Sequence, residues 1–175
     1  MEGVDDVDQA ALLIGSAYPH RSTWLLEVLM EFQQPTLTKL QIAQIQLERA
    51  VFLCMDDRDF VSAITLAGAA EEILGNAVAA AERESAVQNS AAAISAFNVV
   101  SGGTPVQKKA AISELNSARD SLKHFGDGKP VTFDFEEEAY QLIDRAVSNL
   151  LLLNQTPTPA MVELLSSNRC RSPQT

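Results

Sequence analysis

From Thr38 onward apolar residues return every three or four positions, so that Leu40, Ala43, Leu47, Ala50, Val51 and Cys54 fall on one face of a predicted helix. That run stops at Met55-Asp56-Asp57. A second helix is predicted from near Asp59 to about Glu84, with Phe60, Ile64, Ala67, Glu71, Leu74 and Val78 on a face that is apolar except at Glu71. Its small residues Ala63, Ala67, Gly68, Ala69 and Ala70 allow a neighbouring helix to approach closely. Gly68 costs about 1 kcal/mol of helix propensity relative to alanine, which implies compensation by close packing or by function. An alanine-rich third helix over 85–98 ends before Ser101-Gly102-Gly103-Thr104-Pro105, the clearest break in the chain.

Beyond the break, Thr104 followed by Pro105 reads as an N-cap and a proline at the first helical position. The helix it opens carries Ala111, Leu115, Ala118, Leu122 and Phe125 inward and ends at Gly126-Asp127-Gly128. Val131 to Phe133 is extended. Asp134, with Glu137 three residues on, starts a last long helix whose first turn holds Glu136, Glu137 and Glu138, where the helix dipole favours negative charge. Ala139, Leu142, Ile143, Ala146, Leu150 and Leu153 form its core stripe. Prolines 157 and 159 break it, and a short helix over 160–166 precedes a polar tail. No strand-type alternation and no solenoid repeat appear, so the expected fold class is all-α: a four- to five-helix up-and-down bundle with an N-terminal helical appendage. The appendage, 1–35, has an acidic start, an apolar patch from Ala10 to Ile14, and a short helix from Ser22 or Thr23 through Phe32 that Gln33-Gln34-Pro35 ends. The expected organisation is thus 1–35 extension, 36–155 helical bundle, and 156–175 short helix and tail.

Composition narrows what such a bundle can do. The chain has 175 residues, 46% of them hydrophobic, and a formal net charge of −10, so contact with a polyanion requires a local basic cluster. Cys54 and Cys170 match no metal-ligand spacing, and Cys54, following Val51, Phe52 and Leu53, is expected to be a small core residue in a reducing compartment. No apolar run is long enough to span a bilayer and the start MEGVDDVDQ has no positive n-region, so a cytoplasmic location without membrane contact is expected.

No Gly-rich phosphate loop, His-Glu-x-x-His or nucleophile elbow is present, and Glu71-Glu72 has no Glu-x-x-His partner for a di-iron site; no metal or cofactor is expected. Glu72 reads as a solvated helix residue, Glu71 as half-buried and paired with an arginine, and His20 as a surface residue. Arg119 and His124 stand apart. They lie in the one basic segment, Lys108 to Lys129, where five basic residues face three acidic ones for a net of +2, leaving −12 for the rest of the chain. Five steps of an ideal helix rotate about 140°, so the two side chains converge only if the helix unwinds near His124, as Gly126 suggests, or if two chains meet across a dimer interface. The residues alone leave open a plainer arrangement, in which Arg119 pairs with Glu71 or Asp120 while His124 and Lys123 favour the helix C-terminus.

The stretch from Asp59 to Gly75, DFVSAITLAGAAEEILG, followed by Leu115 to His124, LNSARDSLKH, resembles the HEPN-like family of bacterial helical-bundle proteins. The hallmark of that family is an Arg, a polar residue and, a few positions on, a His near the end of a long helix; Arg119, Asp120 and His124 match it. The resemblance covers about residues 38–154 and includes the start of the helix at Thr132 to Glu138. It implies a homodimer in which Arg and His of both chains line one cleft, with metal-independent ribonuclease activity in many members. On that basis Arg119 and His124 are the expected catalytic residues, with Asp120, Glu71 and Lys123 supporting them, RNA or a nucleotide as ligand, and an antitoxin as a possible partner. Asp120 stands where the family frequently has Asn, and Phe125-Gly126 follow His124 in place of the Tyr of the toxin members. Nucleotide-binding and scaffolding members make a non-catalytic nucleotide- or protein-binding module the alternative.

Overall fold

The computed structural model describes residues 36–124, 126 and 128–169, and among these every regular element is helical. The chain divides into two compact units, Met1–Leu37 and Thr38–Thr175, and every helix of the described residues belongs to the second. The helix expected over 23–32, its Ser22 or Thr23 cap and His20 lie outside the described residues.

Helix α1 spans Lys39–Phe52 and begins with a reciprocal cap: the Thr38 hydroxyl accepts from the Gln41 N–H at 3.2 Å and the Gln41 side chain accepts from the Thr38 N–H at 2.9 Å. The chain does not leave the helix at Met55 but widens into one π-helical turn, Leu53–Asp57, which keeps Leu53 and Cys54 both in the core. Arg58, left-handed at φ 54°, closes the turn. Asp59 then caps helix α2, Phe60–Ala80, by accepting from the Ser62 N–H at 3.1 Å.

Helix α2 stops at Ala80, short of the Glu84 that periodicity suggests. The reason is local: Glu82 takes φ 56°, its N–H bonds the Ala79 carbonyl at 3.0 Å, and the Arg83 N–H bonds that of Val78 at 3.2 Å, a Schellman ending built on glutamate instead of glycine. Helix α3, Ala86–Val100, opens on a Ser85–Gln88 capping box and is tied to the bundle by the Ala86 N–H, which donates to the Asn149 side chain at 2.7 Å.

The expected start at Thr104-Pro105 is not used. The Thr104 carbonyl accepts instead from the Asn98 side chain, the Val106 N–H donates to the Ser95 hydroxyl at 3.1 Å, and helix α4 runs from Lys108 to Leu115. A second departure matters more. The single predicted helix through Leu122 is two, because Asn116 interrupts it and helix α5 spans Ser117–Lys123. The Leu115 carbonyl, which an unbroken helix would offer to the Arg119 N–H, accepts from the Arg145 guanidinium at 3.0 Å. Helix α6, Phe135–Leu152, starts as expected with the Asp134 side chain accepting from the Glu137 N–H at 3.0 Å.

The core is formed where α2 lies against α1 on one side and α6 on the other, around Leu47, Ile64, Leu74, Leu142, Ile143 and Leu150. Ala63, Ala67 and Ala70 are fully buried, so α2 presents small side chains where its neighbours come closest. Helix α7, Pro159–Arg169, adds Met161 and Leu164 to the same core. No helix among the described residues is long and apolar enough to cross a membrane.

Candidate functional site

Helix α5 is seven residues long and packs on α2, with Ala118 buried and Leu122 half-buried against the core. Between them Arg119 runs its side chain across α2 at Gly68. A Cβ at position 68 would lie 2.6 Å from both Cγ and Cδ of Arg119, so the missing side chain is what lets the arginine pass. This is the compensation that a glycine in mid-helix requires.

The guanidinium of Arg119 then meets three carboxylates. Nη1 is 3.5 Å from Glu71 and 4.0 Å from Glu72, and Nη2 is 3.0 Å from Asp120, whose carboxylate also accepts from Nε. Lys123 reaches Glu72 at 3.8 Å. Glu71 is 3% exposed, whereas Glu72 and Lys123 are half in solvent. Burial pushes the Glu71 carboxyl above the ordinary glutamate range, while Arg145 and Arg119 pull it back.

Arg145 and Asn149 extend this polar seam along α6, and sequence reasoning missed both. They are 4% and 0% exposed. Besides the Leu115 carbonyl, Arg145 bonds the Asn116 side chain at 3.4 Å, while its Nε and the Asn149 Nδ2 have no hydrogen-bond partner. Burial lowers the Arg145 pKa, opposed by Glu71 and Glu138, and raises that of Glu138. The available signal was spacing: Leu142, Arg145 and Asn149 recur at steps of three and four, which puts two polar residues on the stripe that faces the core. On its outer side Arg145 lines a cleft of about 400 Å³ with Arg83, Asn89, Asp144 and Ser148.

His124 sits where α5 ends. Its N–H still bonds the Asp120 carbonyl at 3.0 Å, but its own backbone is extended, φ −119° and ψ 138°, and Gly126 follows at φ 57°. The helix therefore unwinds at His124, and the imidazole is exposed. Among the described residues no hydrogen bond or ion pair joins His124 to Arg119, whose side chain is turned inward and 16% exposed. Arg119, Asp120, Glu71 and Lys123 thus form one cluster, with His124 beside it at the helix end. Among the described residues no group of three or more His, Cys, Asp or Glu side chains is placed to hold a metal ion.

Two consequences can be measured. Gly68→Ala gains up to about 1 kcal/mol of helix propensity but drives a methyl into the Arg119 stem, and a net loss of about 1–2 kcal/mol in chemical denaturation is expected. Unchanged or increased stability would mean that Arg119 does not lie across α2. For Glu71, a carboxyl whose folded pKa is raised binds more protons folded than unfolded, so its contribution to stability falls as pH rises from the unfolded value through the folded one. The stability of wild type relative to Glu71→Gln should accordingly decline as pH rises above about 4.5, the ordinary glutamate value. A difference that does not vary with pH above that value would contradict the burial of Glu71.

Against known proteins the chain matches no family model, no curated protein and no solved structure.

Proposed function

We propose that the chain is a metal-independent ribonuclease, or a ribonuclease-like toxin or defence protein, of the HEPN-like kind, with Arg119 and His124 as its catalytic residues. The observation that carries this reading is the end of α5: the helix unwinds at His124, leaving an exposed imidazole just beyond an arginine fixed by Glu71 and Gly68. An imidazole titrates near neutrality and serves as base towards a ribose 2′-hydroxyl and as acid towards the 5′-leaving oxygen. A guanidinium offers a phosphate two parallel hydrogen bonds and stabilises charge in the transition state. In this scheme the 2′-oxygen attacks phosphorus, the bond to the 5′-oxygen breaks, and the products are a 2′,3′-cyclic phosphate and a 5′-hydroxyl. Arg119 exchanges Asp120, its partly exposed ion-pair partner, for the phosphate, and Glu71 and Lys123 support it. A homodimer facing two such pairs across one cleft is the assembly this scheme uses, with RNA as substrate and an antitoxin as regulatory partner.

A non-catalytic nucleotide- or protein-binding module is the second reading, and one observation favours it: three carboxylates lie within 4.0 Å of the Arg119 guanidinium, which neutralises its charge before any phosphate arrives. RNA cleavage in EDTA, with analysis of the product ends, decides between the two. Cyclic phosphate ends from wild type and none from His124→Ala support the ribonuclease. Ligand-dependent melting without turnover supports the binding module.

A further inference from the structure

The cleft on the outer side of Arg145 is built by the start of α3 and the later turns of α6. Its polar lining comes from Asn89 and Ser90 of α3, from Asp144, Arg145 and Ser148 of α6, and from Arg83 in the segment between α2 and α3. The Ala86 N–H, bonded to the Asn149 side chain at 2.7 Å, ties the two helices together at this point. Two arginines face one aspartate here, in a chain whose net charge is −10. The first turn of α3, a helix of 15 residues, adds the partial positive charge of its N-terminus. Neither arginine is fully used. Arg145 is 4% exposed and its Nε has no hydrogen-bond partner, which is costly for a buried guanidinium unless an acceptor reaches it. Glu71 and Glu138 offset part of the Arg145 charge. Arg83 is exposed and donates to the Leu152 carbonyl, its one hydrogen bond among the described residues, so most of its N–H groups remain available.

We propose that this cleft binds a small phosphorylated sugar or polyol, with the phosphate between Arg83, Arg145 and the start of α3, and the hydroxyl groups on Asp144, Ser148, Asn89 and Ser90. The two ends of the ligand follow from the two kinds of lining. A guanidinium presents parallel donors that match phosphate oxygens, and a helix N-terminus favours the same dianion. A carboxylate accepts from a hydroxyl, while serine and asparagine side chains both donate and accept, which is the pattern a polyol needs. Size agrees: the cleft has a volume of about 400 Å³, at the lower end of small-molecule sites. A nucleotide fits less well, because no aromatic side chain lines the cleft to stack on a base. An RNA chain would in addition meet the repulsion of the −10 charge beyond the cleft. The site uses neither Arg119 nor His124 and stands independently of the ribonuclease reading.

Isothermal titration calorimetry of the full chain with ribose 5-phosphate, inorganic phosphate, ribose and adenosine 5′-monophosphate tests it. Ribose 5-phosphate is expected to bind about tenfold more tightly than inorganic phosphate, and ribose to give no heat. Arg83→Gln, at an exposed position, should keep the wild-type far-ultraviolet circular dichroism and weaken ribose 5-phosphate by about tenfold or more. Asp144→Asn should narrow the preference for ribose 5-phosphate over inorganic phosphate, since it removes a hydroxyl acceptor and a negative charge together. Arg49→Gln, on the surface of α1, should change neither affinity. The absence of binding by any of the four at millimolar concentration overturns the proposal. Tighter binding of adenosine 5′-monophosphate than of ribose 5-phosphate also overturns it, assigning the cleft to a nucleotide. Equal affinities for the two phosphates that Arg83→Gln leaves unchanged would overturn it as well, reducing the effect to diffuse attraction of anions elsewhere on the chain.

Discussion

Replacing Arg145 by alanine is expected to lower stability by about 3–5 kcal/mol, the range for removing one member of a buried charged pair. The loss has three sources in the structure. The Leu115 carbonyl and the Asn116 side chain lose their donor at the junction of α4 and α5. Glu71 keeps Arg119 but loses a cation that favours its ionised form. A guanidinium-sized hole opens in a side of the bundle where Asn149 is fully buried. For a chain of this size the melting temperature should fall by about 6–20 °C. A double variant, Arg145→Met with Glu71→Gln, should cost less than the sum of its single changes, because each single change removes an opposite charge that offsets the burial of the other. Additive losses would show that Arg145 and Glu71 do not interact through the interior. A melting temperature of Arg145→Ala within a degree or two of wild type would contradict its place in the seam.

His124→Ala makes the opposite kind of prediction, a large functional loss with little structural change. The side chain is exposed and takes no hydrogen bond among the described residues, so stability should move by no more than about 0.5 kcal/mol. If His124 is the acid or base of RNA cleavage, the rate should fall by about 10²–10⁴-fold. Arg119→Lys is the companion variant. It keeps the positive charge next to Glu71 but gives up the bidentate fork, so a fold close to wild type with a deep loss of cleavage is expected. An active, folded His124→Ala protein would sink the ribonuclease proposal. A folded wild type inactive on several RNA pools would shift weight to the binding module, and the cleft beside Arg83 and Arg145 becomes the place to look for its ligand.

Much of the architecture was legible in the order of residues, for reasons that differ from helix to helix. Helices α1, α2 and α6 each bury one long apolar stripe, so a three-to-four periodicity over many turns was sufficient to place them. Asp59 and Asp134 announce helix starts because a cap is a local interaction, decided within four residues. The break at Asn116 was not legible. It depends on an arginine 29 residues further on, and nothing in LNSARDSLKH distinguishes a continuous helix from one whose carbonyl is claimed from outside. The π-helical turn after Phe52 escaped for a related cause: Met55-Asp56-Asp57 is polar like a helix end, but burial of Leu53 and Cys54 carries the backbone on. Around the candidate site, Glu71 was visible as the one acidic position on an apolar face. Arg119 was visible as a partner for it, whereas the part played by Arg145 and the role of Gly68 required three dimensions.

Position 68 and position 119 are bound to each other in a way that reaches beyond this one chain. A methyl at 68 and an arginine stem at 119 compete for the same space, so the two sites cannot drift independently. Any descendant or cousin that keeps the long cation must keep the bare backbone opposite it, and one that gains a side chain at 68 must shorten or turn aside the residue at 119. That pairing is a signature to look for in any relative, and it tells which of them retain the cluster even where the surrounding letters have diverged.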